Sequence, residues 1–355
     1  MDKLKRLGEA LSNFADCGII TDSVNRRYFT GMKSSAGILL VFPKDSVFLI
    51  DFRYIEKAKK TVKNCEVVLE KGNVYDQVKE ILASHGVKKV VVDSETCTVA
   101  ELNKYRASLN CEVVSDEKFA VEIRKIRLVK SEDEIEKIIA AQRIAEKGFQ
   151  HMLDFIKPGK TEKEIQLELD YFMLSNGAEG LSFDTIALSG KNTSLPHGVP
   201  TDKKVENGEF VLMDFGAVVD GYHSDMTRTV CVGKPTEEME KVYNIVLKAQ
   251  LAALKDIKAD VTGKSIDKIA RDIIAAEGYG ENFGHSLGHG VGMEIHENPV
   301  ASPRRDDILV ENSIVTVEPG IYIEDKFGVR IEDFVIVQKD KCKNMTLAPK
   351  NLITL

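Results

Sequence analysis

The spacing of hydrophobic positions divides the chain into two regions. In the first, short apolar runs alternate with amphipathic stretches such as YDQVKEILASHG and VAELNKYRASLN, which is typical of an α/β domain. No glycine-rich loop joins a strand to a helix there, so nothing local supports nucleotide binding. We predict an N-terminal α/β domain at residues 1–125 and a second domain, of α+β type, at residues 126–355. The predicted strands of the first domain are GILLVF, SVFLID, CEVVL, KKVVVD and CEVVS.

The second region opens with two helices whose starts are marked by capping boxes, in which Ser or Thr is followed three residues later by Glu. Ser131 begins a helix that runs toward Phe155. Thr161 begins another, which the Asn-Gly pair at 176–177 can end.

The second region also repeats itself. TEKEIQLELDYFMLSNG (161–177) aligns without gaps on TGKSIDKIARDIIAAEG (262–278), and three shorter blocks follow in the same order in both halves. Each short block places an acid or a histidine over its counterpart, which makes chance a poor explanation. The pairs are Asp214 with Glu318 in FVLMDFG and IVTVEPG, Asp225 with Glu332 in GYHSDMTRTV and GVRIEDFVIV, and His197 with His289 in SLPHGV and SLGHGV.

A duplicated unit folds into two similar halves related by a pseudo-twofold axis, so the four carboxylates of these pairs are expected to converge. Carboxylates packed together cannot all stay ionised without cations. Two divalent ions would balance their charge. Oxygen-rich ligation with a single imidazole, from His289, favours Mn²⁺, Co²⁺, Fe²⁺ or Zn²⁺ over a thiolate-bound zinc. Two such ions would hold a bridging hydroxide and polarise a carbonyl group.

Composition excludes several classes of function. The 355 residues carry a net charge of −7, no tryptophan and no basic run, so nucleic-acid binding has no support. The longest apolar run, AGILLVF, is far shorter than the roughly 20 residues of a membrane span, and the N-terminus lacks the pattern of a signal peptide. The six cysteines are scattered without a CxxC pair, as expected for free thiols in a reducing cytosol. We expect a cytoplasmic protein that binds neither nucleic acid nor membrane.

Four segments of the second region resemble the pita-bread metallopeptidases. They are DFGAVVDGYHSDMTRT, GHSLGHGVGMEIHENP, VTVEPGIYI and GVRIED, and they are most similar to the Xaa-Pro branch of that family. This branch contains Xaa-Pro aminopeptidase (aminopeptidase P) and Xaa-Pro dipeptidase (prolidase). The resemblance covers the chain from about residue 131 to its end. It implies a pita-bread catalytic domain with an internal pseudo-twofold repeat, preceded by a creatinase-like N-terminal domain.

The resemblance also implies a set of metal ligands. Asp214 and Glu332 would bridge two ions, Asp225 would hold one of them, and His289 and Glu318 would hold the other. Glu318 is in addition the family's candidate for handling the proton of the bridging water.

Further residues match positions around the metal in this family. His197, in LPHG, matches a histidine that contacts substrate or assists proton movement. His296, in EIHENP, matches one that hydrogen-bonds the peptide carbonyl and stabilises the tetrahedral intermediate. His285 matches another histidine of the pocket, and Arg330 matches an arginine that lies just outside the metal ligands.

The implied reaction is hydrolysis of the bond between an N-terminal residue and a following proline in small peptides. The implied cofactors are two divalent ions, Mn²⁺ first, with Co²⁺ or Zn²⁺ as alternatives. We expect an Xaa-Pro aminopeptidase, with an Xaa-Pro dipeptidase as the alternative. Prolidases often carry an arginine just after the HExP segment, and this chain has Val300 there, which favours longer substrates. Arg304 and Arg305 follow soon after and could supply the charge instead.

Other relatives fit the sequence less well. Methionine aminopeptidase shares the five ligands but not the N-terminal domain. Creatinase works without the metal ligands, and a non-catalytic relative would have lost some of them. The N-terminal domain either mediates dimerisation or screens the site from bulky substrates, and we expect a homodimer.

Overall fold

The structure is a computed structural model that describes residues 2–355. These residues form two compact units, one ending at Arg127 and one beginning at Leu128. The N-terminal unit alternates strands and helices, and its last helix runs one residue past the division. Its strands are β1 (Cys17–Ile20), β2 (Ile38–Val41), β3 (Ser46–Ile50), β4 (Glu66–Leu69), β5 (Lys89–Asp93) and β6 (Glu112–Asp116). Its helices are α1 (Lys3–Leu11), α2 (Ser23–Thr30), α3 (Ile55–Thr61), α4 (Val74–Ser84), α5 (Val99–Ser108) and α6 (Glu117–Leu128).

The six strands of this unit form one sheet in the order β4-β3-β2-β1-β5-β6. Strand β2 is antiparallel to both of its neighbours, whereas the other pairs are parallel. Each predicted strand is present within a residue or two of its apolar run. β1 is absent from the predicted strands, because CGII is only four residues long and shows no alternation. It nevertheless lies inside the sheet, fully buried between β2 and β5.

The second unit contains four long helices and several small antiparallel sheets. Its helices are α7 (Glu132–Phe155), α8 (Glu162–Ser175), α9 (Glu237–Asp256) and α10 (Gly263–Ala276). The strands of its first half are β7 (Gly180–Leu181), β8 (Ile186–Ser189), β9 (Glu209–Phe215), β10 (Ala217–Val219), β11 (Tyr222–His223) and β12 (Met226–Val232). The strands of its second half are β13 (Gly288–Gly290), β14 (Glu297–Ala301), β15 (Ile314–Val317), β16 (Gly320–Ile323), β17 (Phe327–Arg330), β18 (Asp333–Val337) and β19 (Cys342–Asn344).

The capping boxes predicted from the sequence are present. The Ser131 hydroxyl accepts the backbone N–H of Glu134, and the Glu134 carboxylate accepts that of Ser131, so α7 begins where expected. Thr161 and Glu164 form the same pair at the start of α8. Each capping box therefore satisfies two backbone donors at the N-terminus of its helix.

The second unit contains two hydrophobic cores. One is built from α7 and α8 against β9 and β12, and the other from α9 and α10 against β15, β17 and β18. Helices α8 and α10 are both 14 residues long and are capped by the aligned residues Thr161 and Thr262. The backbone hydrogen bonds before each helix also correspond: Val205 to Lys160 and Glu162 to Lys203 in the first half, Leu309 to Val261 and Gly263 to Asp307 in the second.

Across residues 2–355, none of the helices combines the length and the apolar character that a transmembrane segment requires.

Candidate metal centre

Each half of the second unit places one acid at the end of a strand and another just before the neighbouring strand. In the first half, Asp214 lies near the end of β9, opposite Thr227 of β12, and Asp225 directly precedes β12. In the second half, Glu318 directly follows β15 and Glu332 directly precedes β18. Since β9 pairs with β12 and β15 with β18, both strand pairs bring their two acids to one end.

Hydrogen bonds join these two ends. The backbone N–H of Glu332 donates to the Thr227 carbonyl oxygen over 3.1 Å, and the Thr227 hydroxyl donates to Glu332 Oε2 over 2.7 Å. Two residues further along β12, the Thr229 hydroxyl donates to the Arg330 carbonyl oxygen over 3.0 Å. A carboxylate from the second half is thus fixed directly to a strand of the first.

His289, in β13, lies between acids of the two halves. Its Nε2 is 3.5 Å from Asp225 Oδ2 and 3.3 Å from Glu318 Oε1. Its backbone N–H donates to the Thr316 hydroxyl over 3.0 Å, and that hydroxyl donates to Glu318 Oε1 over 3.1 Å. The close approach of β13 requires glycine at position 288, because a Cβ on Gly288 would lie 2.0 Å from the Thr316 carbonyl oxygen.

Three of these side chains could hold a metal ion together. Asp225, His289 and Glu332 each offer a ligand atom, and these atoms lie within 4.8 Å of one another. Asp214 has one free oxygen: its Oδ2 accepts a hydrogen bond from Arg330, whereas its Oδ1 is buried and has no hydrogen-bond partner among residues 2–355. A buried carboxylate oxygen without a donor fits a metal ligand, because buried acceptors are otherwise hydrogen-bonded.

The raised pKa values of the acids also indicate a metal site. Burial, and then repulsion from Asp214 and Glu318, raises the pKa of Asp225 well above its ordinary value. Burial and the neighbouring acids raise the pKa of Glu332 in the same way. Burial, together with repulsion from Asp214 that opposes the effect of Arg330, raises the pKa of Glu318 to about 8. Divalent cations would relieve this repulsion and let the carboxylates ionise.

Burial also keeps His289 neutral. Together with the nearby ring of His296, it lowers the pKa of His289 to about 4. A neutral imidazole has a lone pair that it can offer to a metal, so the donor set consists of carboxylate oxygens and one nitrogen. The cluster therefore fits a divalent transition-metal site.

Arg330 connects the cluster to a buried polar network. Its Nη2 donates to Asp214 Oδ2 over 2.5 Å, its Nη1 to the Tyr322 hydroxyl over 2.8 Å and its Nε to the Thr227 hydroxyl over 3.0 Å. Burial alone would lower the pKa of Arg330, but Tyr322 and Asp214 raise it above its ordinary value. Arg330 therefore stays charged and fixes the orientation of the Asp214 carboxylate.

The remaining predicted histidines lie around this network. His285 Nδ1 is 2.8 Å from the Ser286 carbonyl oxygen, which can only accept, so Nε2 accepts from the Tyr322 hydroxyl 2.9 Å away. The ring centre of His296 is 4.3 Å from that of His289. His197 is exposed, in a turn after a short 3-10 segment, and within residues 2–355 its side chain has no hydrogen-bond partner. After burial, His197 is the next cause that lowers the pKa of His296.

Sequence reasoning overlooked three polar residues of the site, Thr227, Thr316 and Tyr322. The two threonines carried a usable signal. Thr227 lies two residues after Asp225 and Thr316 two residues before Glu318, and side chains two apart on a strand point to the same face. Polar residues at this spacing in a buried strand therefore indicate one shared polar site.

Comparison with known proteins decides the family. Residues 136–339 match metallopeptidase family M24, and residues 2–129 match the creatinase/prolidase N-terminal domain. The chain belongs to metallopeptidase family M24. Members of this family use divalent metals, and the acid-rich centre described above has suitable ligands for them.

Several relatives and solved structures that match nearly the whole chain carry Xaa-Pro peptidase names. An Xaa-Pro dipeptidase of Pyrococcus horikoshii is 38% identical over 99% of this chain and 99% of its own. The structure of an Xaa-Pro dipeptidase from Bacillus anthracis has a TM-score of 0.96 at 41% identity, covering 100% of this chain and 99% of that one. The structure of an X-Pro aminopeptidase from Thermotoga maritima has a TM-score of 0.91 at 39% identity, covering 96% and 98%.

These likenesses confirm the predicted family branch and the predicted fold class. The protein is an M24 metallopeptidase of the Xaa-Pro branch, with a creatinase-like N-terminal domain and a pita-bread catalytic domain. On substrate length, the named relatives support an Xaa-Pro dipeptidase better than the aminopeptidase that Val300 favours.

Proposed function

We propose that this protein is a metal-dependent Xaa-Pro dipeptidase, which hydrolyses the bond between an N-terminal residue and proline in small peptides. The cluster of Asp225, His289 and Glu332 supports hydrolysis, because it offers both oxygen and nitrogen ligands at one point. The full-length likeness to proteins named Xaa-Pro dipeptidase is the observation that carries the substrate class.

The protein would bind two divalent ions. Mn²⁺ is the first candidate, and Co²⁺ or Zn²⁺ would accept the same ligands. Such ions polarise a scissile carbonyl and lower the pKa of a bound water. The residues that would hold them are Asp214, Asp225, His289, Glu318 and Glu332.

Other groups of the chain would move protons and orient the substrate. Glu318 Oε1 would take the proton of the attacking water and return it to the proline nitrogen, which has no hydrogen of its own in an X-Pro bond. His296 would donate a hydrogen bond to the oxygen of the tetrahedral intermediate, and His197 would contact the substrate or assist proton movement. His285 would hold Tyr322, which with Asp214 keeps Arg330 in place.

A cation is needed to bind the carboxylate of a dipeptide. The two candidates, Arg304 and Arg305, differ in whether the side chain already has a partner. Arg305 is engaged: its Nε and Nη2 lie 3.1 and 3.0 Å from the two carboxylate oxygens of Asp307. Arg304 is exposed, and its side chain has no hydrogen-bond or ion-pair partner within residues 2–355. We therefore propose Arg304 as the carboxylate-binding residue.

An Xaa-Pro aminopeptidase is the second candidate. It is favoured by Val300, which stands where prolidases often carry an arginine, and by the likeness to the Thermotoga maritima X-Pro aminopeptidase.

The test is a paired assay after stripping with EDTA and return of Mn²⁺. It compares an X-Pro dipeptide with an X-Pro-Y tripeptide that has the same first residue. We expect faster cleavage of the dipeptide, and a raised KM for the dipeptide alone in Arg304→Ala, with Arg305→Ala as the matched control. Faster cleavage of the tripeptide would favour the aminopeptidase, and no activity on either peptide would contradict the proposal.

The N-terminal region would have a role of its own. Residues 1–125 would form a domain of their own, which either mediates a homodimer or screens the site from bulky substrates. Sedimentation of the full chain tests the homodimer. A cytoplasmic location would suit the six free cysteines, since free thiols persist in reducing compartments.

A further inference from the structure

One buried carboxylate, that of Glu162, holds both ends of the segment that carries His197. We propose that Glu162 is a positioning residue, which fixes segment 189–201 so that His197 reaches the substrate. This inference rests on the proposed function for the role of His197, but the contacts of Glu162 and their tests do not depend on it.

Glu162 is the first residue of α8 and is fully buried. Its Oε1 accepts from the Ser189 backbone N–H (2.7 Å), the Ser189 hydroxyl (3.1 Å) and Asn192 Nδ2 (3.0 Å). Its Oε2 accepts from Asn192 Nδ2 (3.2 Å), the Thr201 backbone N–H (2.9 Å) and the Thr201 hydroxyl (2.7 Å). The donors stand on both sides of His197 in the sequence, so one side chain closes the segment into a loop.

All the hydrogen-bond donors to Glu162 are neutral groups. Among residues 2–355, no lysine or arginine makes an ion pair with Glu162. The nearby ammonium of Lys203 instead donates to the Ser189 hydroxyl (3.1 Å) and pairs with Glu209 (2.7 Å). The two carboxylate oxygens of Glu162 together accept six hydrogen bonds from Ser189, Asn192 and Thr201. The arrangement therefore requires an acceptor at both oxygens, since an amide NH₂ there would face N–H donors.

The opposite side of the segment contacts the metal centre. The Thr193 hydroxyl accepts the backbone N–H of Gly328 over 2.8 Å, and a Cβ on Gly328 would lie 2.2 Å from the Thr193 carbonyl oxygen. The Pro196 carbonyl oxygen accepts from Arg330 Nη1 over 3.4 Å, and the same guanidinium binds Asp214. The segment is thus fixed between α8 and β17, directly beside the candidate metal ligands.

His197 depends on this support more than the other histidines do. His285 is held by its own hydrogen bonds on both ring nitrogens, whereas the ring of His197 has no such partner in the described part of the chain. Its place is therefore set by the backbone around it, which Glu162 holds at Ser189 and Thr201 and β17 holds at Thr193 and Pro196. Releasing the anchor would displace His197 while leaving the metal ligands, which lie on other elements, in position.

The first experiment compares Glu162→Gln with Glu164→Gln in the full chain, loaded with Mn²⁺. Glu164 is a matched control, because it lies in the same helical turn and a glutamine can keep its capping box. Hydrogen exchange at the Ser189 and Thr201 amides, bound Mn²⁺ per chain, and kcat and KM for an X-Pro dipeptide are measured. For Glu162→Gln we expect about tenfold or more faster exchange at both amides, as for a lost hydrogen bond, and an unchanged Mn²⁺ content. Glu164→Gln should match the wild type in all of these.

The activity arm uses His197→Ala and the double variant Glu162→Gln with His197→Ala. If Glu162 acts through His197, each single variant lowers kcat to a similar level, on the order of 10²-fold for a lost proton-handling group, and the double variant is no worse than His197→Ala. Additive losses would overturn the proposal. Wild-type exchange at both amides, or a loss of Mn²⁺ in Glu162→Gln, would overturn it as well.

Milder variants keep the proposal falsifiable if Glu162→Gln does not fold. Thr201→Val removes one hydroxyl donor, and Thr201→Ser restores it. We expect Thr201→Val to lower kcat with little change in KM, and Thr201→Ser to recover the wild-type value; equal effects of the two would contradict the role of this hydroxyl. If the wild type cleaves no X-Pro peptide, the proposed function fails, whereas the exchange and Mn²⁺ measurements still decide whether Glu162 anchors the segment.

Discussion

The two halves of the catalytic unit share a backbone plan but anchor their histidine-bearing loops differently. In the first half, Glu162 holds segment 189–201 with neutral donors alone. In the second, Asp267 of α10 accepts the Leu287 backbone N–H over 3.0 Å and forms an ion pair with Arg271, whose Nη2 donates to the His285 carbonyl oxygen over 2.9 Å. Duplication has thus kept the helices and their caps, while the side chains that fix each loop differ.

The aligned histidines differ for a related reason. SLPHGV and SLGHGV differ at one position, where the first half has Pro196 and the second has Gly288. Gly288 lets β13 lie against Thr316, at a distance that leaves no room for a Cβ. Proline has a Cβ and no N–H, so the first half cannot form this contact, and His197 lies in an exposed turn. A sequence repeat therefore predicts a shared scaffold better than it predicts equal roles.

The largest expected effect comes from removing a ligand charge. Asp225→Asn keeps the shape of the side chain but leaves a poorer metal ligand, and we predict loss of metal and a fall in kcat/KM of about 10³-fold or more, roughly 4 kcal/mol of transition-state stabilisation. Circular dichroism would show that the fold is retained. An active Asp225→Asn protein with its full metal content would contradict the two-metal assignment.

The next largest effect distinguishes Asp267 from Glu162 by their influence on metal affinity. Asp267→Asn loosens the loop that leads to His289, so we expect metal affinity to fall about 10–100-fold, as for other residues that orient ligands. Glu162→Gln should leave metal affinity unchanged, because His197 is not among the proposed ligands. Titration of the metal-free variants with Mn²⁺ measures both, and equal affinities would remove the proposed distinction between the halves.

A smaller effect is expected from Tyr322→Phe. The change removes the hydroxyl that accepts from Arg330 and donates to His285, but Arg330 keeps its contacts with Asp214 and Thr227. The loss of such a hydrogen bond amounts to about 1 kcal/mol, so we predict a fall in kcat of roughly fivefold. A fall as large as that of Asp225→Asn would show that the metal centre depends on this network far more than its contacts indicate.

The smallest effect is a pH dependence of stability in the metal-free protein. The pKa of Glu318 is about 8 in the folded chain and about 4.3 when unfolded, so the folded state binds more protons and loses stability as pH rises through this range. His289, with a folded pKa of about 4, acts oppositely, but only below about pH 6.5.

We therefore predict that the Tm of the EDTA-treated protein falls between about pH 6.5 and pH 8, and that Mn²⁺ raises the Tm more at pH 8. Asp225→Asn in the first half and Glu332→Gln in the second should both weaken this trend, since each removes an acid from the same cluster. A trend that responds to only one of them would mean that the halves do not share a single site.

Local signals in the sequence located much of this architecture. Capping boxes marked the starts of α7 and α8, and the repeat predicted that Asp214, Asp225, Glu318 and Glu332 would converge. These features depend on residues close in sequence or on a comparison of the chain with itself. Strand β1 could not be predicted from such signals, because its four residues are all buried and show no alternation of apolar and polar positions.

The roles of the anchoring residues could not be predicted from the sequence either, for a physical reason. In the sequence Glu162 is an ordinary acid in the first turn of a helix, where acids are common and solvent-exposed. Its role depends on donors 27 to 39 residues away that only the folded chain brings together. Tyr322 likewise lies in a strand of apolar residues, and its place between His285 and Arg330 is a tertiary contact.

The central claim is that both halves supply ligands to one metal centre that performs the reaction. The most direct test is to count bound Mn²⁺ per chain while X-Pro dipeptidase activity is restored to the EDTA-treated protein. We predict that activity returns in step with binding and reaches its maximum near two ions per chain. Full activity without metal, or binding of well under one ion per chain, would contradict this account.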